Sequence, residues 1–225
     1  MQNLPAQLIL FIFLTLVLFL FTQQSLKNLY QSLRVFFKNK RIVFILLSLI
    51  YFPGTILHEI AHFLTALVTG LKVANINIFP TFQENTIRLG EVHFEKKDFV
   101  RSILVGVAPF FFGLGFFIFL SYFKLFPSQT VLSNILFGYL VFSVSSTMFS
   151  SKEDLEDIVY LIPLAIIIYG IIYVFDIRLN FASGEFLELT VDFIKLINFY
   201  VLLSIVVNVV FIIVSRLVMI ILRKR

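Results

Sequence analysis

The sequence predicts an all-α membrane protein of about six transmembrane helices, with a membrane-associated β-hairpin after the second helix. Of the 225 residues, 60% are hydrophobic and only 14% are charged, whereas soluble domains hold the apolar fraction near half. The apolar residues form long runs, and about 20 in succession suffice to cross a bilayer core. Between the second and third runs the sequence alternates polar with apolar residues, which is typical of strands.

The predicted spans are the runs of apolar residues that approach or exceed membrane-crossing length. They cover residues 4–22, 42–68, 100–123, 131–149, 158–175 and 193–214. We expect the first to be a retained span rather than a signal peptide, because no basic residue precedes it and no small-residue cleavage site follows. The basic stretch 23–41 predicts an amphipathic or interfacial segment. The whole chain, 1–225, is expected to form a single multi-pass membrane domain, in the cell membrane of a prokaryote.

The predicted hairpin covers residues 73–94. Its first half, 73–79, mixes β-branched and polar residues, and Pro80 and the polar run 83–85 interrupt it. Residues 86–94 then largely alternate polar with apolar side chains. Two such runs around a turn predict a β-hairpin at the membrane surface.

The net charge of +5 indicates a membrane partner rather than a nucleic acid. Its basic residues lie in short loops that flank apolar spans, where they set topology and contact anionic lipid headgroups. The absence of cysteine excludes disulfides, thiolate zinc ligands and cysteine nucleophiles.

One segment of the second span has the pattern of a metal site. It is the H-E-x-x-H motif of His58, Glu59 and His62. Histidines at i and i+4 lie on one helix face, where both imidazoles can bind a single metal. The intervening Glu59 lies beside that face, placed to take a proton from a water on the metal. Zinc suits this donor set, because it keeps one position open and lowers the pKa of its water to about 7.

The membrane setting strengthens this interpretation. The pattern arises by chance roughly once in a thousand sequences of this composition. Ionisable residues inside a span are costly and usually functional, although a polar cluster that only packs between helices is the alternative. Pro53, just ahead of the motif, cannot donate to the carbonyl of Leu49, so we expect a kink there and a partner or water for the freed carbonyl.

A third zinc ligand is required, and the sequence offers two kinds. One is His93, in the predicted hairpin. The other is the acidic segment 153–157, which includes Asp154 and Asp157. Because the second and fourth spans run in the same direction, this segment emerges on the membrane face that the H-E-x-x-H helix approaches. Ser150 with Glu153 also forms a capping-box pattern, so helix capping is an alternative role for the acids.

Together these residues resemble the site-2 protease family of intramembrane zinc metalloproteases. The resemblance rests on residues 52–62, on Gly106-Val107-Ala108-Pro109-Phe110 in the next span, and on an acidic motif two spans after the H-E-x-x-H. It covers over half of the chain. The Leu-Asp-Gly of most members does not occur. Residues 151–154 stand in its place and look like the Ser-x-x-Asp variant of divergent members, which implies Asp154 as the third ligand, ahead of Asp157 and His93.

The resemblance implies a core of three spans around zinc and hydrolysis of peptide bonds in or near the transmembrane segments of membrane protein or peptide substrates. Glu59 would be the general base, and the hairpin would either pair with an unwound substrate strand or shield the cavity. The first alternative function is a catalytically silent membrane protein that uses the metal site for folding or for binding client helices. Metal transport is disfavoured, because the third, fourth and sixth spans lack a path of acids or histidines.

Overall fold

The computed structural model describes residues 4–77, 81–83, 86–88, 91–94, 99–149 and 184–223. Five helices account for most of them: α1 Leu4–Phe36, α2 Lys40–Val68, α3 Phe99–Tyr122, α4 Val131–Thr147 and α5 Glu185–Arg223. Four short strands lie between α2 and α3: β1 Val73–Asn77, β2 Thr81–Gln83, β3 Thr86–Arg88 and β4 Glu91–Phe94.

Four of these helices, α1, α2, α3 and α5, are long and apolar enough to cross a membrane. Helix α4 is also apolar but has only 17 residues. The prediction of a helical chain with apolar helices of membrane-spanning length is therefore confirmed. The predicted fifth span, 158–175, lies outside the described residues.

The directions of the helices do not support the predicted count of six spans. Near the start of α1, Gln7 accepts hydrogen bonds from Asn198 of α5, and near its end Ser32 donates to the carbonyl of Ser215 at 2.9 Å. Residue numbers rise together along this contact, so α1 and α5 are parallel. Six spans that cross the membrane in turn would make the last helix antiparallel to the first.

The first helix extends beyond the predicted end of its span at residue 22, because α1 continues through the predicted amphipathic stretch as far as Phe36. Its small polar residues Ser25, Asn28 and Ser32 are spaced three and four apart and are buried. They therefore share one helix face, from which Ser32 reaches α5. Polar residues that look like the end of a span are here part of a helix–helix contact. Helix α5 is likewise longer than the predicted span 193–214.

The strands form two separate two-stranded ladders. Strand β1 pairs antiparallel with β4, with a register irregularity between Val73 and Asn75, and β2 pairs antiparallel with β3. The sequence predicted one continuous hairpin over 73–94. Pro80, which has no amide hydrogen to give to a ladder, stands in the sequence between β1 and β2. The paired strands β1 and β4 contact α2, so this segment adjoins the helix that carries the H-E-x-x-H motif.

Helix α2 packs against both α3 and α4. It runs parallel to α4 and packs tightly against it at Gly54. A side-chain carbon at Gly54 would overlap the backbone carbonyl of Ser143 and lie 2.6 Å from the Thr147 hydroxyl. Only glycine allows the two backbones to approach this far.

We expect Gly54→Ala to destabilise the helix packing by about 1–3 kcal/mol, because the added methyl overpacks the contact between α2 and α4. The measurement is the thermal unfolding midpoint in detergent. Gly115→Ala, in α3, is the matched control, since a side-chain carbon there meets nothing within 4 Å. Equal midpoints for the two variants would contradict the close packing at Gly54.

Candidate metal centre

The two motif histidines lie one helical turn apart on α2 and face each other. Their Nε2 atoms are 3.0 Å apart, and their ring centroids are separated by 4.6 Å with the ring planes nearly perpendicular. Only 5% of His58 and 8% of His62 is exposed. The sequence prediction that both imidazoles converge on one point is therefore confirmed.

A hydrogen bond from outside α2 fixes the protonation of the second histidine. The Nδ1 atom of His62 lies 2.9 Å from the carbonyl oxygen of Val105 in α3. A carbonyl oxygen can only accept, so Nδ1 carries the hydrogen, and in the neutral ring Nε2 has a free lone pair. In the contact between the two Nε2 atoms, His58 is consequently the donor and His62 the acceptor.

The pair fits a zinc ion in both chemistry and spacing. Two imidazole nitrogens bound to tetrahedral zinc at about 2.0–2.1 Å lie about 3.3–3.4 Å apart. The observed separation of 3.0 Å is shorter than this because a shared hydrogen joins the two rings. Widening it by about 0.3–0.4 Å requires only small side-chain rotations. His62 already presents the lone pair that a metal needs, whereas His58 must first move its hydrogen from Nε2 to Nδ1.

Glu59 lies next to His58 and is also buried, with 5% of its surface exposed. A carboxylate between two histidines, on the helix that carries them, is where a proton acceptor for a metal-activated water is needed.

Three residues are candidates for the third ligand. Asp154 and Asp157 lie outside the described residues. His93 lies in β4, where its backbone is paired with Asn75 of β1. Within the part of the chain that the structure describes, no three His, Cys, Asp or Glu side chains form a cluster that could hold a metal.

The end of α4 lies close to the histidine pair. A small depression between α2, α3 and α4 is lined by residues that include Gly54, His58, Pro109, Thr147 and Met148. Because α2 and α4 are parallel, the chain leaves α4 at the level of His58. The parallel direction of α2 and α4 agrees with the sequence prediction, whereas the segment that contains Asp154 lies outside the described residues.

The backbone groups freed around Pro53 find partners on α4. The amide of Gly54 donates to Ser143 Oγ at 2.9 Å, and Ser143 Oγ lies 3.2 Å from the Tyr51 carbonyl, to which it donates. The Tyr139 hydroxyl donates to the carbonyl of Ile50 at 3.0 Å. The sequence predicted that the carbonyl of Leu49 needs a partner or water, and the bonds that α4 supplies go to the backbone groups next to it, on Ile50, Tyr51 and Gly54.

Sequence reasoning missed three residues that support the centre: Ser143, Tyr139 and Val105. A signal was available only for Val105, which stands four residues before Pro109 and so has a carbonyl that the helix itself does not use. Nothing in the sequence around Ser143 or Tyr139 distinguishes them from other polar residues at helix contacts.

Comparison of the chain with protein-family models, with curated proteins and with solved structures finds no match.

We expect Ser143→Ala to lower stability by about 1–3 kcal/mol, because the change leaves the Gly54 amide without its buried partner. Ser133→Ala is the control on the same helix: its hydroxyl only accepts an exposed bond from Thr130. Thermal midpoints in detergent compare the two. A Ser143→Ala protein as stable as the Ser133→Ala protein would mean that another group satisfies the amide.

Proposed function

We propose that this protein is an intramembrane zinc metalloprotease that hydrolyses peptide bonds in or near the transmembrane segments of membrane protein or peptide substrates. The observation that carries the proposal is the buried pair of Nε2 atoms, 3.0 Å apart on an apolar helix, with the buried Glu59 next to His58 in the sequence. Soluble metalloproteases use the same donor set. In this chain the histidine pair lies in an apolar helix, which favours a substrate that also lies in the membrane.

The two histidines and Glu59 have different roles in this proposal. His58 and His62 would hold the metal through their Nε2 atoms, which lie close together. Zinc, when bound, supplies a Lewis acid that polarises a carbonyl oxygen and acidifies a water. The Glu59 carboxylate takes a proton from the attacking water and delivers it to the nitrogen of the leaving amine. The surrounding apolar helices restrict water at the site, so these electrostatic interactions are stronger than they would be in bulk solvent.

We propose Asp154 as the third ligand, with Asp157 and then His93 as the alternatives. Residue 154 follows Phe149 by five residues, which span at most about 17 Å when fully extended. Met148 lines the same depression as His58, so an acid at this position is within reach of the pair. A carboxylate with two imidazoles is a donor set typical of hydrolytic zinc sites with an open fourth position.

Metal analysis of the protein purified in detergent tests the centre. We expect about one zinc per chain in the wild type, nearly none in His58→Ala, and a marked loss in Asp154→Ala but not in Asp157→Ala or His93→Ala. Asp192→Ala is the matched control, since Asp192 is exposed and paired with Lys195 on α5. A folded wild-type protein without zinc, even after zinc is added back, would overturn the proposal.

Turnover tests the role of Glu59. We expect Glu59→Gln to retain zinc and to lower cleavage of transmembrane-segment reporter proteins by about 10²–10⁴-fold, because the amide cannot accept the proton. Glu188→Gln, an exposed change on α5, should cleave as the wild type does. Zinc-loaded wild-type protein that cleaves no reporter, or cleaves no faster than Glu59→Gln, would favour the silent membrane protein that uses its metal for folding or client binding.

A further inference from the structure

The hydrogen bond that orients His62 originates in a proline of the neighbouring helix. In a regular helix the carbonyl of residue i accepts the amide hydrogen of residue i+4. For Val105 of α3 the residue in that position is Pro109, which has no amide hydrogen. The helix therefore leaves the Val105 carbonyl available to a partner from another element.

That carbonyl lies where no solvent would satisfy it. Val105 is fully buried and packs in a small apolar cluster with Ala66 and Leu71, so a carbonyl without a partner would be costly. The partner it has is His62 Nδ1, at 2.9 Å. The helix lacks one backbone hydrogen bond at Pro109, and the hydrogen bond to His62, one of the two candidate ligands, takes its place.

We infer that Pro109 is a positioning residue for the metal centre, which acts by freeing the Val105 carbonyl to hold His62 in its ligating tautomer and ring orientation. The part about metal affinity rests on the proposed function. The part about the tautomer concerns the metal-free protein and stands independently of it.

The other proline inside a described helix shows that this use is specific. Pro53, in α2, also interrupts a helix ladder, but the backbone groups next to it bond to Tyr139 and Ser143. None of these bonds reaches a candidate ligand. Of the two prolines, Pro109 alone is placed so that the carbonyl it frees meets a histidine of the motif.

The arrangement makes the two ligands unequal. His62 is held from a second helix, with its hydrogen on Nδ1. In the contact between the two rings, His58 has its hydrogen on Nε2, because Nε2 of His62 is the acceptor. Fixing one ligand in advance lowers the entropy cost of binding the metal, and hydrogen bonds of this kind also raise the basicity of the ligating nitrogen.

Nuclear magnetic resonance of metal-free protein with ¹⁵N-labelled histidine tests the first step. The chain has 3 histidines, so His62→Ala and His93→Ala assign the signals. We expect wild-type His62 to carry its hydrogen on Nδ1, in a hydrogen bond. In Pro109→Ala the new amide competes for the Val105 carbonyl, so this tautomer should lose population. Gly115→Ala, a helix-favouring change in the same helix with nothing near the added carbon, should match the wild type.

Zinc affinity, measured by competition with a chelator, tests the second step. We expect Pro109→Ala to bind zinc about 10–100-fold more weakly, as is usual when the group that orients a ligand is lost, while Gly115→Ala binds as the wild type does. Thermal midpoints of both variants show whether a loss of affinity follows a loss of fold.

The outcomes separate this proposal from the proposed function. Wild-type His62 with its hydrogen on Nε2 would overturn the inference without any variant, even if Pro109→Ala fails to fold. An unchanged tautomer and zinc affinity in folded Pro109→Ala would overturn it as well. Failure of the wild type to bind zinc would count against the protease, whereas a Pro109-dependent tautomer in that same protein would still support the positioning role.

Discussion

The structure around the motif depends on one constraint: inside an apolar bundle, every backbone group that a proline frees must find a partner in the protein. Two described helices, α2 and α3, contain an interior proline, and in both, backbone groups close to the proline bond to a neighbouring helix. On α2 these bonds go to α4, and on α3 the bond goes back to α2 through His62. The three helices are therefore joined by hydrogen bonds as well as by apolar packing, which alone sets few specific positions.

This constraint also explains why α4 approaches α2 where it does. Ser143 both accepts from the Gly54 amide and donates to the Tyr51 carbonyl, and it reaches them because Gly54 has no side chain in the way. The Pro-Gly pair thus frees backbone groups and makes room for the helix that satisfies them. As a result, the end of α4 comes to the level of His58, and the chain that leads to Asp154 starts beside the histidine pair.

The sequence predicted the parts that follow from local pattern. Apolar runs located α1 to α5 approximately, and the spacing of His58 and His62 predicted their convergence. The sequence-based predictions were wrong where contacts between distant parts of the chain determine the structure. Ser25, Asn28 and Ser32 looked like the polar end of a span but form a buried face of α1, from which Ser32 bonds to α5. The direction of α5 depends on its packing against α1, which the length of an apolar run does not predict. The bond between His62 and Val105 was open to prediction from Pro109, but only once α3 was known to lie against α2.

The contacts that hold the helices together are relevant to the role that a metal would have. Hydrogen bonds between described residues join α1 to α5, α4 to α2 and α3 to α2, and the Nε2 atoms of the two histidines lie within hydrogen-bond distance of each other. A structural zinc, by contrast, supplies the folding energy of its domain. If the two histidines hold zinc as proposed, the ion would take the place of the hydrogen between their Nε2 atoms. Two side chains that already face each other leave coordination positions for a third ligand and for a water, as hydrolytic zinc sites require.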